Sequence, residues 1–85
     1  MISLTILSPA GALCSVQVSK VSFPGAAGAF TVYPEHAPLI SSLLPGDISW
    51  TGADGSTGSV RIRTGCVRVL RDNIEACVEV AGGSK

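Results

Sequence analysis

At 85 residues the chain lies near the lower limit for an independently folding unit, which leaves room for one compact domain and one small core. Six basic side chains against six acidic ones leave no net charge, so nucleic acid, polyanionic substrates and anionic membranes find no electrostatic footing as main partners. A hydrophobic fraction of 46% beside 14% charged residues is high for so large a surface-to-volume ratio, and some apolar surface is expected to stay exposed until a partner covers it.

Taken in chain order, the apolar residues recur with period two, the signature of strands with one buried face. Ile2, Leu4 and Ile6 alternate with Ser3 and Thr5, and Pro9-Ala10-Gly11 supplies the turn that follows. In the next strand Val16 and Val18 share one parity, while Val21 and Phe23 share the other. A straight strand would turn half of this set to solvent, so a bulge or bend is expected near Ser19-Lys20. The stretch FPGAAGAFTVYPEHAPLI, residues 23–40, combines chain-bending prolines and glycines with apolar residues, and Phe30 and Val32 mark a short strand inside it. ISSLL, residues 40–44, alone has spacing that could serve a helical turn, and Pro38 and Pro45 leave no room for a long helix.

Ile48 and Trp50 should face the same way as Val60 and Ile62. A three-residue loop over Asp54-Gly55-Ser56 achieves this, pairing Trp50 with Val60 and Ile48 with Ile62. A two-residue turn at Asp72-Asn73 would set Val69 opposite Ala76 and Val67 opposite Val78, with Arg68 diagonal to Glu75 and Glu79. The expected outcome is all-β: a flattened two-sheet antiparallel β-sandwich over residues 1–80, followed by a flexible tail over 81–85. Trp50 is read as a core residue.

Candidate chemistry is sparse. Cys14, Cys66 and Cys77 have no CxxC spacing, and with the single histidine they make no zinc set; they are expected to be reduced. Ala10-Gly11-Ala12 mimics a signal-peptidase site, but no basic segment precedes it and Ser8-Pro9 breaks the apolar run. His36 follows Glu35 directly, and neighbours in an extended chain point to opposite sides, so a Glu35-His36 dyad is poorly set up. There is no GxSxG elbow and no Walker lysine near FPGAAG. Arg61, Arg63, Arg68 and Arg71 lack interleaved aromatics, and Glu75 and Glu79 partly neutralise them, as on a solvated or partner-facing sheet. The reading is of a non-enzyme without cofactor or metal. Rigid loops of low charge suit docking, since little conformational entropy is lost on binding.

The segment also carries a resemblance. Phe23-Pro24-Gly25, Gly28, Phe30, Val32-Tyr33-Pro34, His36-Ala37-Pro38-Leu39 and Leu43-Leu44-Pro45-Gly46, with LTILSPAG at the start, resemble the N-terminal β-sandwich domain of the epsilon subunit of the rotary F-type ATP synthase. The likeness runs on through Thr64-Gly65 and Asp72-Asn73 to about Glu79. It implies a central-stalk subunit that makes and breaks no bond, binds the gamma subunit, rests on the c-ring and couples ion-driven rotation to ATP synthesis. Carried over by position, it implies a gamma-facing surface at Ser8, His36, Ala37 and Pro38, and a c-ring-facing loop at Ala27, Gly28, Ala29 and Phe30. Two departures bear on these contacts: Ala29 stands where a polar or acidic residue is common, and Glu35 where a glycine usually precedes the histidine.

The resemblance further implies a peripheral position on the cytoplasmic face of the bacterial inner membrane, with membrane association only through the complex. Because the chain stops at VAGGSK, no inhibition by a C-terminal helical hairpin and no nucleotide binding are expected. An isolated copy, its docking face uncovered, is open to homodimerisation. The alternative from another class is a free-standing sandwich that binds a small carbohydrate, with Trp50 and Tyr33 as platforms.

Overall fold

The computed structural model describes residues 1–80. The tail expected over residues 81–85 lies outside the described residues. Seven strands follow one another: β1 (Ile2–Ser8), β2 (Gly11–Phe23), β3 (Phe30–Val32), β4 (Leu39–Leu43), β5 (Gly46–Gly52), β6 (Thr57–Leu70) and β7 (Asn73–Val80). No helix occurs among the described residues, and the all-β expectation holds. ISSLL, the one stretch with helical spacing, lies mostly in β4, which pairs with β6 from Leu39↔Val69 to Leu43↔Gly65.

Two long strands make the architecture. The first half of β2 pairs with β1 and its second half with β5 and β3. Likewise the first half of β6 pairs with β5, and its second half lies between β7 and β4. Each strand changes layer at an irregularity in its ladder, between Val18 and Lys20 in β2 and between Ile62 and Thr64 in β6. An extra residue bends a strand and reverses its parity. Val18 and Val21 therefore both face the core, as do Ile62 and Val67. The bulge expected at Ser19-Lys20 is present.

One layer contains β3, the end of β2, β5 and the start of β6; the other contains the start of β2, β1, β7, the end of β6 and β4. The molecule measures 36 × 28 × 19 Å, and the short axis suits two sheets packed about 10 Å apart with their outer side chains. The expectation of two purely antiparallel sheets needs refinement. The ladders form one continuous sheet, because β2 and β6 belong to both layers, and β1 runs parallel to β7 from Ser3↔Asn73 to Leu7↔Cys77. Ile2, Leu4, Ile6, Phe23, Ile48, Ile62, Val69 and Ile74 are among the buried side chains between the layers, and among the described residues no buried one is polar or charged.

Both hairpin registers differ from expectation by two residues while keeping their parity. Ile48 pairs with Val60, and Trp50 pairs with Gly58 rather than Val60. The indole accounts for this choice: a Cβ on residue 58 would lie 2.5 Å from Cζ2 of Trp50, so the ring occupies space that only glycine leaves free. Trp50 is half-buried against the core rather than enclosed by it. In the last hairpin Val67 faces Ala76 and Leu70 faces Asn73, which places the turn at Arg71-Asp72. Arg68 is consequently directly opposite Glu75, bonded at 3.1 Å, while Glu79 meets Arg63 at 3.9 Å. All four side chains are solvent-exposed, so each pair contributes at most ~1 kcal/mol.

Candidate docking surfaces

Two loops flank β3, and they are fixed by different means. Loop 24–29 is stitched to the end of β4: Ala26 N–H donates to Ser42 O at 2.9 Å and Leu44 N–H to Pro24 O at 2.8 Å. Within it Gly28 N–H donates to Gly25 O at 3.0 Å, closing a turn with Gly28 at φ 132°. Gly25 is pressed so close that a Cβ there would lie 2.7 Å from Gly28 O and 2.8 Å from the Phe30 ring. Phe30 is half-buried and anchors the loop, its ring centroid 5.6 Å from that of Phe23. Such a pair adds ~0.5–1.5 kcal/mol beyond its buried area. Ala27, Gly28 and Ala29 are left exposed as a small uncharged tip.

Segment 33–38 runs to the other end of β4 and leans on the β6–β7 turn. Glu35 adopts φ 65° and Arg71 φ 57°, and these are the only non-glycine residues with positive φ among those described. Asp72 sits between them. Its Oδ1 accepts Glu35 N–H at 2.8 Å, and its backbone carbonyl accepts Ser3 N–H at 2.8 Å. One turn residue thus holds both the loop and the start of β1. A left-handed conformation costs an ordinary L-residue ~1–2 kcal/mol, which this hydrogen bond helps offset. The glycine that the resemblance places before the histidine would adopt it freely.

His36 Nδ1 lies 2.7 Å from Ala37 O, and since a carbonyl only accepts, Nδ1 carries the proton. The imidazole braces its own loop and makes no hydrogen bond to Glu35, so the dyad does not form. Ala37 and Pro38 are exposed, and beside them Ile40 and Leu70 stand 79% and 54% exposed on the outer face of the sheet. This is the uncovered apolar surface that the composition implied.

Ser8 stands apart from His36-Ala37-Pro38. Its hydroxyl donates to Gly11 O at 3.1 Å and accepts Ala10 N–H at 3.3 Å, tightening the β1–β2 turn at the far end of β1. The His36 loop lies near Ser3, at the near end. Ser8 shares its end of the layer with Thr64, Gly65 and Glu79 in an apolar groove. Loop 24–29 borders the same end, where Leu43 pairs with Gly65. The side chains assigned to one gamma-facing surface therefore occupy two ends of a sheet, about 17 Å apart for a five-residue strand such as β4.

Other features are structural. The groove beside Trp50 is lined by Lys20, Ser22, Ser49, Thr51, Thr57 and Ser59 and does not reach Tyr33, so the two aromatics form no common platform. No group of three or more metal-ligating side chains exists among the described residues. Burial pushes the Cys14 thiol above its usual range. The Asp54 carboxylate is held below the usual carboxylate range, mainly by the Ser56 hydroxyl at 2.6 Å and then by Ser56 N–H at 3.0 Å. Among the described residues no helix is long and apolar enough to cross a membrane.

Residues 1–83 match the family described as the ATP synthase Delta/Epsilon chain, beta-sandwich domain. The chain belongs to this family. It is 40% identical over 80 residues to the ATP synthase epsilon chain of Nitratiruptor sp., covering 94% of this chain and 62% of that one. With the epsilon chain of Wolinella succinogenes it shares 39% identity over 81 residues, covering 95% and 62%. The chain thus spans about three fifths of the length of these relatives.

Among solved structures, a chain of the Euglena gracilis mitochondrial ATP synthase OSCP/F1/c-ring assembly superposes with a TM-score of 0.82 at 17% identity, covering 91% of this chain and 49% of that chain. A chain in the central stalk/c-ring structure of the Tetrahymena thermophila enzyme gives 0.75 at 14%, covering 92% and 63%. At these identities the likeness is one of fold.

Proposed function

We propose that this domain is a non-catalytic central-stalk subunit of an F-type ATP synthase, joining the gamma subunit to the c-ring and passing ion-driven rotation to the catalytic head. The single observation that carries this reading is the pair of fixed, exposed and nearly uncharged loops at opposite ends of β4 in a chain of the epsilon family. A coupling element must transmit torque between two bodies, and two anchored surfaces joined by a short rigid strand suit that task. His36, Ala37 and Pro38 face gamma in this reading, with Ser8 as a separate contact at the other end of the sheet. Ala27, Gly28, Ala29 and Phe30 face the c-ring. The subunit then sits peripherally on the cytoplasmic face of the bacterial inner membrane, held there by the complex.

Reconstitution tests the proposal. Synthase complexes depleted of their epsilon subunit, placed in vesicles and energised with an ion gradient, should regain ATP synthesis when the chain is added. Ala29→Arg, which puts a bulky cation on the uncharged tip, should regain less while folding normally, since the loop tip is exposed. Full coupling without the chain, or turnover by the isolated chain that disappears in His36→Ala, would overturn the reading.

A further inference from the structure

Two of the three cysteines face each other. Cys66 in β6 and Cys77 in β7 are register partners in an antiparallel ladder, and both are free and exposed. Residues directly opposite in such a ladder have Cα atoms about 4.5 or 5.5 Å apart, according to the type of pair, and their side chains leave on one face. A disulfide needs a Cα separation of about 4.4 to 6.8 Å, so either type of pair lies within its reach.

The neighbouring residues strengthen the case. Gly65 brings β6 so close to β7 that a Cβ on it would lie 2.6 Å from Cys77 O. Both cysteines line the same open groove of about 600 Å³, together with Leu7, Ser8 and Pro9, so a small solute can approach them. The docking function uses neither sulfur.

We infer that Cys66 and Cys77 form a vicinal dithiol that closes reversibly into a cross-strand disulfide by exchange with a low-molecular-weight disulfide of the glutathione class. One cysteine thiolate attacks a sulfur of the small disulfide, forms a mixed disulfide and expels one small thiolate. The second cysteine thiolate then attacks the protein sulfur of that mixed disulfide and expels the other small thiolate. Two protein thiols are oxidised to one disulfide and one small disulfide is reduced to two thiols; the protons released by the cysteines are taken up by the departing thiolates or solvent. An exposed bridge between adjacent strands belongs to the readily reduced class, so the step runs both ways. Cys14 serves as an internal control: it lies on β2 opposite Ile6, away from this groove, and its burial-raised thiol forms thiolate poorly.

The test is to equilibrate the reduced full chain with graded ratios of oxidised to reduced glutathione, quench in acid, label free thiols with a maleimide and digest with trypsin. Cleavage after Arg63, Arg68 and Arg71 puts Cys66 in peptide 64–68 and Cys77 in peptide 72–85. The expected result is a fall from three labels to one, with these two peptides linked within a single chain, and a return to three in excess reduced glutathione. Cys66→Ser should lose the link and hold Cys77 as a glutathione adduct, whereas Cys14→Ser should keep it. Three labels at every ratio would overturn the inference. So would separate glutathione adducts on Cys66 and Cys77 without the linked peptide, or linkage only between chains.

Discussion

Loop 24–29 and segment 33–38 flank the same three-residue strand, yet one is fixed by steric fit and the other by a distant side chain. In the first, Gly25 lets the backbone close against Gly28 and Phe30, and two backbone hydrogen bonds tie it to β4. In the second, Glu35 takes a conformation unfavourable for its type, and the Asp72 carboxylate, 37 positions along the chain, receives its N–H. The contrast separates two ways of making a rigid surface loop: the first needs a particular residue within the loop, and the second needs a partner in another turn.

The largest effect should come from breaking the steric device. Gly25→Val places side-chain atoms where Gly28 O and the Phe30 ring already stand, and it should cost about 3 kcal/mol, read as a lower midpoint in urea unfolding. A cost below about 0.5 kcal/mol would show that the loop shifts freely and is not fixed by fit. Next, Asp72→Ala removes the acceptor for Glu35 N–H and should cost about 1 kcal/mol, while Asp72→Asn, which keeps an acceptor oxygen, should cost less. Equal losses in the two variants would assign the effect to charge.

Smaller still, Glu35→Gly should stabilise by up to about 1 kcal/mol, because the relief of the left-handed strain exceeds the added chain entropy of glycine. A loss of stability would mean that the glutamate side chain makes a contribution of its own. The smallest effect concerns Asp54 in the β5–β6 turn. Its folded pKa lies below the unfolded value near 3.9, so its stabilising contribution is present above that pH and disappears as the pH falls through the lower folded value. Asp54→Asn should remove that part of the acid dependence of unfolding, and an unchanged acid profile would count against the Ser56 contacts.

The same contrast explains what could be read from the sequence. Period-two patterning marked strands along most of the chain, and the parity change between Val18 and Val21 located the first corner. An equal signal stands in β6 between Ile62 and Val67, and it marks the second corner. The steric loop was legible through Pro24-Gly25 and Gly28, since its constraints are local. The Asp72 anchor was not, because nothing near Glu35 announces a partner so far along the chain.

The hairpin registers failed for a similar reason. Parity fixes which face each side chain takes, but a shift by two residues preserves parity, and the choice fell to Trp50 fitting over Gly58 and to Asp72 being held by Ser3 and Glu35. Parallel pairing of β1 with β7 is likewise a contact between chain ends that periodicity cannot express. Among the candidate site residues, resemblance grouped Ser8 with His36-Ala37-Pro38, whereas the fold sets them at opposite ends of β1.

The central claim is that this domain docks as a stalk subunit, and calorimetric titration of the chain into a folded gamma subunit from the same source tests it most directly. Saturable one-to-one binding is expected, weakened by Ala37→Arg with no change in the chain's own melting temperature. Absence of binding with both partners folded would contradict it.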